Sequence, residues 1–230
     1  MKPGDVLSHQ EMCVAEKMSL QRGMNFRSRG RPNIILMSTR RGAPYRDRFE
    51  GEGRVLIYEG HDVPRNLAAR DPKSIDQPAV NPTGKPTQNG RFFDAAKRER
   101  VGELPEQVRV YEKIKEGIWT FNGVFALTDA WKESDGRRQV FKFRLELQDI
   151  ADVADDDRTH KELEHSRLIP SAVKLEVWQR DKGRCCLCGS SDNLHFDHDL
   201  PFSKGGTSLS AKNIRLLCRR HNLEKRDRIE

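Results

Sequence analysis

Two short pairs of cysteine and histidine near the end of the chain have the spacing of a metal site. Cys185 and Cys188 are separated by two residues, and so are Cys218 and His221. A two-residue gap lets both side chains of a tight turn converge on one tetrahedral ion. Two such turns supply four ligands and leave no open coordination position. The spacing therefore predicts a structural zinc (Zn²⁺) site, with Cys186 and Cys188 as an alternative first pair.

The stretch between and after these pairs follows the order of a known motif. It contains Leu-x-x-Asp-His-x-x-Pro from Leu194, then Gly205-Gly206, Asn213 and Asn222-x-x-Lys225. In this order the residues resemble the HNH nuclease family, and the resemblance covers about the last sixty residues, from Ser171 onward, including Arg180-Asp181. The family usually has cysteine where this chain has His221. Nitrogen and sulfur both suit zinc, so the site should survive, although His221 could instead join a catalytic metal.

The resemblance implies an endonuclease with a ββα-metal fold that hydrolyses phosphodiesters. His198, on the first strand of the hairpin, would be the general base, because its ordinary pKa near 6.5 leaves it able to accept a proton. Asp197 and Asn222 would hold a catalytic Mg²⁺ or Mn²⁺, which prefers oxygen ligands and can stabilise the charge that develops on phosphate. Asn213 would orient His198 through a hydrogen bond. His195 is expected to support the site or contact substrate rather than bind metal.

The first 150 residues have the pattern of a β-rich domain. Short apolar or alternating runs bounded by turn residues predict strands, at Ile34–Met37, Arg54–Tyr58, Gln107–Tyr111, Ile118–Leu127 and Val140–Leu147. Residues 61–92 are rich in Pro, Asn, Gly and Asp, which predicts a long loop. Helices are predicted around Glu11 to Leu20 and over Ala172–Arg180, the second with Ser171 as its N-cap.

Several pieces of this half follow the order of the SRA (SET- and RING-associated, or YDG) domain. They are Tyr45-x-Asp47, Gly53, Tyr58-Glu-Gly60, Val108–Tyr111, Phe121–Phe125, Asp129–Trp131 and Val140–Leu145. The resemblance covers about Asn33 to Leu147, although the namesake Tyr-Asp-Gly reads Phe121-Asn122-Gly123 here. It implies a curved, PUA-like β-barrel with flanking helices that flips a modified cytosine out of duplex DNA into a pocket.

Three residues are candidates for the walls of that pocket. Tyr45 and Tyr58 would stack on the base, each stack contributing about 1–3 kcal/mol. Asp47 would accept a hydrogen bond from the cytosine amino group. The alternative is that both tyrosines are ordinary strand aromatics and that Asp47 is a turn residue. Arg40, Arg41, Arg46 and Arg48 surround the segment and could contact phosphates or form a solvated rim.

The charge balance and the cysteine pattern limit the class of protein. The net charge of +7 and the sequence pI near 9.3 suit a polyanionic partner. No apolar run is long enough to cross a membrane, and the N-terminus lacks the apolar core of a signal peptide. Clustered cysteines without an export signal indicate a reducing, bacterial-type cytoplasm.

Together these features predict an α+β protein: an SRA-like reader over residues 1–150, a linker over 151–170 and an HNH domain with a zinc knuckle over 171–230. We therefore expect a modification-dependent restriction endonuclease acting on double-stranded DNA that carries 5-methyl- or 5-hydroxymethylcytosine. One HNH site cuts one strand, so a double-strand break requires a homodimer or two binding events. The alternatives are a modified-DNA binder that does not cut and an HNH nuclease without modification preference.

Overall fold

The fold is α+β, mostly sheet with few helices. The computed structural model describes residues 1–27, 31–99, 102–148, 168–200 and 205–225, so residues 151–167 of the predicted linker lie outside it. In chain order the elements are β1 (Val6–Ser8), α1 (His9–Glu16), β2 (Met24–Asn25), β3 (Asn33–Met37), β4 (Arg48–Glu50), β5 (Val55–Glu59), α2 (Gln88–Glu99), β6 (Gln107–Lys115), β7 (Ile118–Ser134), β8 (Gln139–Leu147), α3 (Ser171–Arg180), β9 (Leu194–His198), β10 (Ile214–Cys218) and α4 (Arg219–Lys225). No helix of the described part is long and apolar enough to span a membrane.

An eight-stranded sheet forms the N-terminal part. Its order is β2-β3-β6-β7-β8-β5-β4, with β1 paired to the start of β7. The β3–β6 pair is parallel and the others are antiparallel. Within the described residues β2 and β4 lie at opposite ends and do not pair, so the prediction of a barrel is wrong in that the sheet is not closed. Strands of two and three residues are too short to supply the ladder that closure needs.

Period-two alternation places side chains on the two faces of this sheet. Ile35 belongs to a core cluster with Phe92 of α2, whereas its neighbour Ile34 packs with Met12 of α1 on the opposite face. Successive strand residues point to opposite faces, so β3 contributes side chains both to the core under α2 and to the core under α1. The predicted strands are all present, and β7 continues past the predicted end at Leu127 to Ser134.

Helix α2 was missed by the sequence prediction, which extended a loop to residue 92. The helix begins at Gln88 and buries Phe92, Ala95 and Ala96, a spacing of three and four residues. The upstream Pro, Asn and Gly residues obscured this amphipathic signal. The N-cap of α3 also differs from the prediction, because Pro170 holds that position and Ser171 is the first helical residue.

The C-terminal part contains an antiparallel hairpin followed by a helix. Strands β9 and β10 pair with Asp197 opposite Arg215, and α4 follows β10 directly. Helix α3 is tied to the hairpin at its end: Arg180 donates to the carbonyls of Ala211 (2.6 Å) and Ile214 (2.7 Å). Asp181 accepts from the N–H of Leu216 (2.9 Å). These bonds fix the end of α3 to β10 and to the turn before it.

Residues 4 and 5 connect the two parts. The N–H of Gly4 donates to Phe121 of β7 (2.8 Å), and its carbonyl accepts from Phe196 of β9 (3.1 Å). Asp5 Oδ1 lies 3.0 Å from His195 Nδ1. The segment that precedes β1 therefore bridges the large sheet and the small hairpin, and Asp5 holds the ring of His195 at this joint.

A buried ion pair joins α3 to the large sheet. Lys174 Nζ donates to Glu112 Oε2 and to Asn122 Oδ1, both at 2.8 Å, and Asn122 Nδ2 donates to Glu112 at 3.0 Å. All three side chains are buried. Burial lowers the pKa of Lys174, and the Glu112 carboxylate opposes that shift. The asparagine that departs from Tyr-Asp-Gly is thus the neutral third partner of a single lysine–glutamate pair.

We expect Lys174→Met to lower the free energy of unfolding by about 3–5 kcal/mol, because it leaves the Glu112 carboxylate buried without a cation. Denaturant unfolding followed by tryptophan fluorescence measures this loss. The matched control is Lys113→Met, since Lys113 pairs at 2.8 Å with the exposed Glu116. An exposed pair contributes about 1 kcal/mol or less. Equal effects of the two substitutions would contradict the role of the buried pair.

Candidate functional site

The four predicted zinc ligands come together in the C-terminal part. Cys185 and Cys188 lie in the turn after α3, Cys218 ends β10 and His221 lies in α4. Their ligand atoms are all within 4.8 Å of one another. His221 Nδ1 is 3.3 Å from Cys185 Sγ and 3.4 Å from Cys218 Sγ. This cluster of three cysteines and one histidine can hold a metal such as zinc.

The geometry favours these four residues over the two alternatives. Cys186 is exposed and does not belong to the cluster, although its N–H donates to Leu216 (2.9 Å) and so fixes the turn. His221 faces the cysteine sulfurs, as a zinc ligand should, rather than joining a second metal.

The backbone of the knuckle also suits a metal-bound thiolate. Burial raises the pKa of the Cys185 thiol, but the amide groups of Cys218, Cys188 and Leu187 outweigh it and lower that pKa to about 6. The thiolate is the form that binds metal. The donor set and the amide groups around it therefore fit zinc.

His198 is the last residue of β9 and lies at the end of the hairpin where the loop to β10 begins. Its Nε2 lies 2.8 Å from the hydroxyl oxygen of Ser208, which is buried. Burial lowers the pKa of His198, Asp197 opposes the shift and Lys225 adds to it. A neutral imidazole whose Nε2 bonds to Ser208 can accept a proton at its other nitrogen, Nδ1.

Asn213 has a different partner from the one predicted. Instead of bonding to His198, its side chain accepts from the N–H of Leu200 (2.7 Å) and donates to the carbonyls of Leu200 and Thr207, both at 3.0 Å. Its carbonyl accepts from Asp199 (2.7 Å). Asn213 therefore fixes both ends of the segment that follows His198, and Ser208 is the residue that contacts the imidazole. An asparagine can close such a loop because it offers donors and an acceptor together.

Asp197 and Asn222 lie in neighbouring elements, β9 and α4, with Lys225 three residues beyond Asn222. Lys225 Nζ is 2.5 Å from Asp197 Oδ2 and also donates to the carbonyl of His198. Its side chain is 1% exposed and that of Asp197 is 23% exposed. Asp197 and Asn222 carry the carboxylate and amide oxygens that a hard cation prefers, and the Lys225 ammonium contacts one oxygen of Asp197.

The predicted base pocket has a different arrangement from the one expected. Tyr58 is 1% exposed, packs in the main core and shares a 3.0 Å hydrogen bond with His61 Nε2. In this structure its ring therefore presents no exposed face on which a base could stack. The alternation of side chains along β5 allowed Tyr58 to point either into the core or towards solvent. A single sequence does not show which face of a strand is exposed.

Asp47 serves the backbone. It accepts from the N–H groups of Ser38 and Glu59, both at 3.1 Å, and so ties β3 to the end of β5. Burial raises the pKa of Asp47 to about 7, against the two amide donors. The structural alternative for Asp47, a residue that fixes a turn, accounts for these contacts.

Tyr45 is half-buried and stacks on the ring of His61, with centroids 5.4 Å apart and planes inclined by 17°. Its hydroxyl accepts from the N–H of Asp62 (3.4 Å), and Lys73 Nζ lies 4.2 Å from its ring centroid. Of the three predicted pocket residues, Tyr45 alone presents an aromatic surface near solvent.

A buried charge network supports the segment beside Tyr45. Lys142 Nζ is 2.9 Å from Glu59 Oε2, and Arg138 donates to Asp62 Oδ1 (2.6 Å). Gln77 donates to the carbonyl of Gly60 (2.6 Å). Sequence analysis missed these residues, and Lys142 on an alternating strand was the one available signal, because a buried lysine needs a carboxylate partner.

Comparisons with known proteins give structural similarities only. No protein-family model and no curated protein matches the chain. Similar solved structures include the SUVH5 SRA domain with hemi-methylated CG DNA (22% identity, TM-score 0.43, 62% of this chain and 84% of that one). The same domain with fully hydroxymethylated CG DNA gives 20% identity, a TM-score of 0.43 and coverage of 62% and 85%. Arabidopsis thaliana SUVH6 in complex with SAM gives 18% identity, a TM-score of 0.40 and coverage of 71% of this chain and 27% of that one. At TM-scores below 0.5 these similarities establish neither the family nor the function of this chain.

Proposed function

We propose that the protein is a DNA endonuclease that recognises a modified cytosine and hydrolyses the phosphodiester backbone nearby. The observation that carries the proposal is the pair Asp197 and His198 at the end of β9, where Lys225 of α4 contacts Asp197 and Ser208 contacts His198. The Cys/His cluster closes the other end of the β9–β10 hairpin. A purely structural knuckle would not need a partly exposed carboxylate next to a histidine held by Ser208.

The chain's own residues suggest how hydrolysis proceeds. The tautomer of His198 that donates from Nε2 to Ser208 leaves the Nδ1 lone pair for a proton of water. The water oxygen forms a bond to phosphorus, the proton passes to Nδ1 and the bond from phosphorus to the leaving sugar oxygen breaks. That oxygen departs with the electron pair and takes a proton from solvent. A divalent ion held by Asp197 and Asn222 would supply stabilisation of the developing phosphate charge.

Recognition is supported by the surface around Tyr45. Four arginines of this segment and its flanks are exposed and suit phosphate contacts: Arg40, Arg41, Arg46 and Arg48. The stacked rings of Tyr45 and His61, both half-buried, form the aromatic part of this surface. Flipping a base costs a few kcal/mol, which stacking and edge hydrogen bonds in a pocket can offset.

Cleavage of matched duplexes tests both halves of the proposal. We expect the protein with Mg²⁺ or Mn²⁺ to cut duplexes containing 5-methyl- or 5-hydroxymethylcytosine and to leave the same duplex with plain cytosine intact. Equal cutting of all three would remove the reader and retain the nuclease. Binding without cutting, with zinc present, would make the protein a modified-DNA binder. The molar mass of the protein–DNA complex in solution tests the predicted homodimer.

A further inference from the structure

The rings of Tyr45 and His61 are stacked on each other, and a flipped base could stack between them if they were further apart. Their centroids are 5.4 Å apart with nearly parallel planes. A base between two rings needs a separation of about 7 Å, twice the optimal carbon–carbon contact of about 3.5 Å. One ring must therefore move by a small distance before a base can enter.

His61 is the anchored member of the pair. Its N–H donates to Asn89 Oδ1 (2.8 Å), and its carbonyl accepts from Asn89 Nδ2 (2.8 Å). The ring is held by the Tyr58 hydroxyl at 3.0 Å. Gly23 packs against the same edge of the ring so tightly that a Cβ there would lie 2.8 Å from His61 Nε2 and 2.7 Å from the Tyr58 hydroxyl. Both the backbone and the ring of His61 are thus fixed.

Tyr45 is the less firmly held member of the pair. It lies in the irregular segment between β3 and β4, and its hydroxyl accepts a long hydrogen bond of 3.4 Å from the N–H of Asp62. The Lys73 ammonium over its ring belongs to a side chain that is 40% exposed. These contacts can be exchanged for water or phosphate as the ring turns outward.

The His61 ring suits stacking on a neutral base. Burial lowers the pKa of His61 to about 4, although the charge of Asp62 opposes the shift. The imidazole is therefore uncharged at neutral pH and presents an aromatic face that requires no counter-ion.

We propose that His61 is the fixed stacking wall of the modified-base pocket and that Tyr45 swings outward to admit the base between the two rings. This inference rests on the proposed function. It assigns to His61 the stacking role that the sequence predicted for Tyr58, and it makes Tyr58 a positioning residue that holds the imidazole through its hydroxyl.

The test compares His61→Gln with the wild-type protein, zinc-loaded and without added Mg²⁺ or Mn²⁺. Glutamine can keep the hydrogen bond to Tyr58 but removes the ring. Fluorescence anisotropy gives the Kd for duplexes with one 5-methyl- or 5-hydroxymethylcytosine and for the unmodified duplex. We expect His61→Gln to bind the modified duplex about 10- to 100-fold more weakly, with the Kd for unmodified DNA unchanged. Tyr58→Phe should produce a smaller loss.

Two further measurements separate stacking from a structural role. The melting temperature of each variant reports folding, and histidine-labelled wild-type protein should show a ring-current shift of His61 with modified DNA only. Three results would overturn this inference and leave the proposed function standing. They are a folded His61→Gln variant that prefers modified DNA as strongly as the wild type does, a variant that binds modified DNA more tightly than the wild type, and a His61 signal that modified DNA does not shift. A wild-type protein that binds all duplexes equally would overturn the proposed function and this inference with it.

Discussion

Cys185→Ser is expected to remove the bound zinc and to unfold the C-terminal part at temperatures where the wild type is intact. Structural zinc contributes roughly 10–16 kcal/mol in zinc-finger peptides, and the apolar core of the hairpin and α3 is small. A loss of even half that energy would lower the melting temperature by at least about 10 °C. Zinc per chain by mass spectrometry and thermal melting followed by the fluorescence of Trp178, which packs on this core, measure the two effects.

The adjacent residue provides the matched control. Cys186→Ser changes the same atom one position along the chain, on an exposed side chain outside the cluster. It should retain one zinc per chain and the wild-type melting temperature. If Cys186→Ser lost zinc and Cys185→Ser retained it, the alternative pair Cys186 and Cys188 would be correct. Melting that a strong chelator left unchanged would contradict a structural metal altogether.

The metal cluster could be predicted from the sequence because its geometry is local. Two residues between Cys185 and Cys188, and again between Cys218 and His221, bring each pair together within one turn. The remaining requirement is that the two turns meet, which the β9–β10 pairing satisfies. The placement of His198 at the end of β9 follows from the same short-range order.

The base pocket could not be predicted in the same way because its geometry depends on distant segments. Whether Tyr58 faces the core or the solvent is decided by α2, a helix that the sequence analysis missed. The partner of Tyr45 is His61, and the position of His61 is set by Asn89, 28 residues further along the chain. Neither contact leaves a spacing signal in the sequence.

The joint between the two parts was hidden for a related reason. Lys174 resembles an ordinary polar residue of an amphipathic helix, and Glu112 the polar member of an alternating strand. Their pairing joins residues 62 positions apart and becomes visible only when both are found buried. Charged residues are almost never fully buried unless paired, so a sequence pattern assigns them to solvent by default.

His198→Ala is expected to lower the rate of DNA cleavage by about 10²–10⁴-fold, the usual contribution of a general base, while binding of modified DNA is unchanged. In the proposed mechanism the imidazole takes the proton of the attacking water. Its substitution removes no zinc ligand and no contact of the pocket near Tyr45. Single-turnover cleavage with Mg²⁺ or Mn²⁺ measures the rate, and anisotropy without those ions measures binding.

The control and the companion variant separate catalysis from folding. His9→Ala replaces a histidine of α1 that bonds to the carbonyl of Leu20 (3.0 Å), so it should cut at the wild-type rate. Ser208→Ala removes the hydroxyl that holds Nε2 and should reduce the rate by a smaller factor, because the base remains but its orientation is less fixed. Cleavage by His198→Ala at the wild-type rate would exclude His198 as the base. Equal losses of binding and cleavage would instead mean that His198 holds the substrate, since a residue acting only in proton transfer leaves ground-state affinity intact.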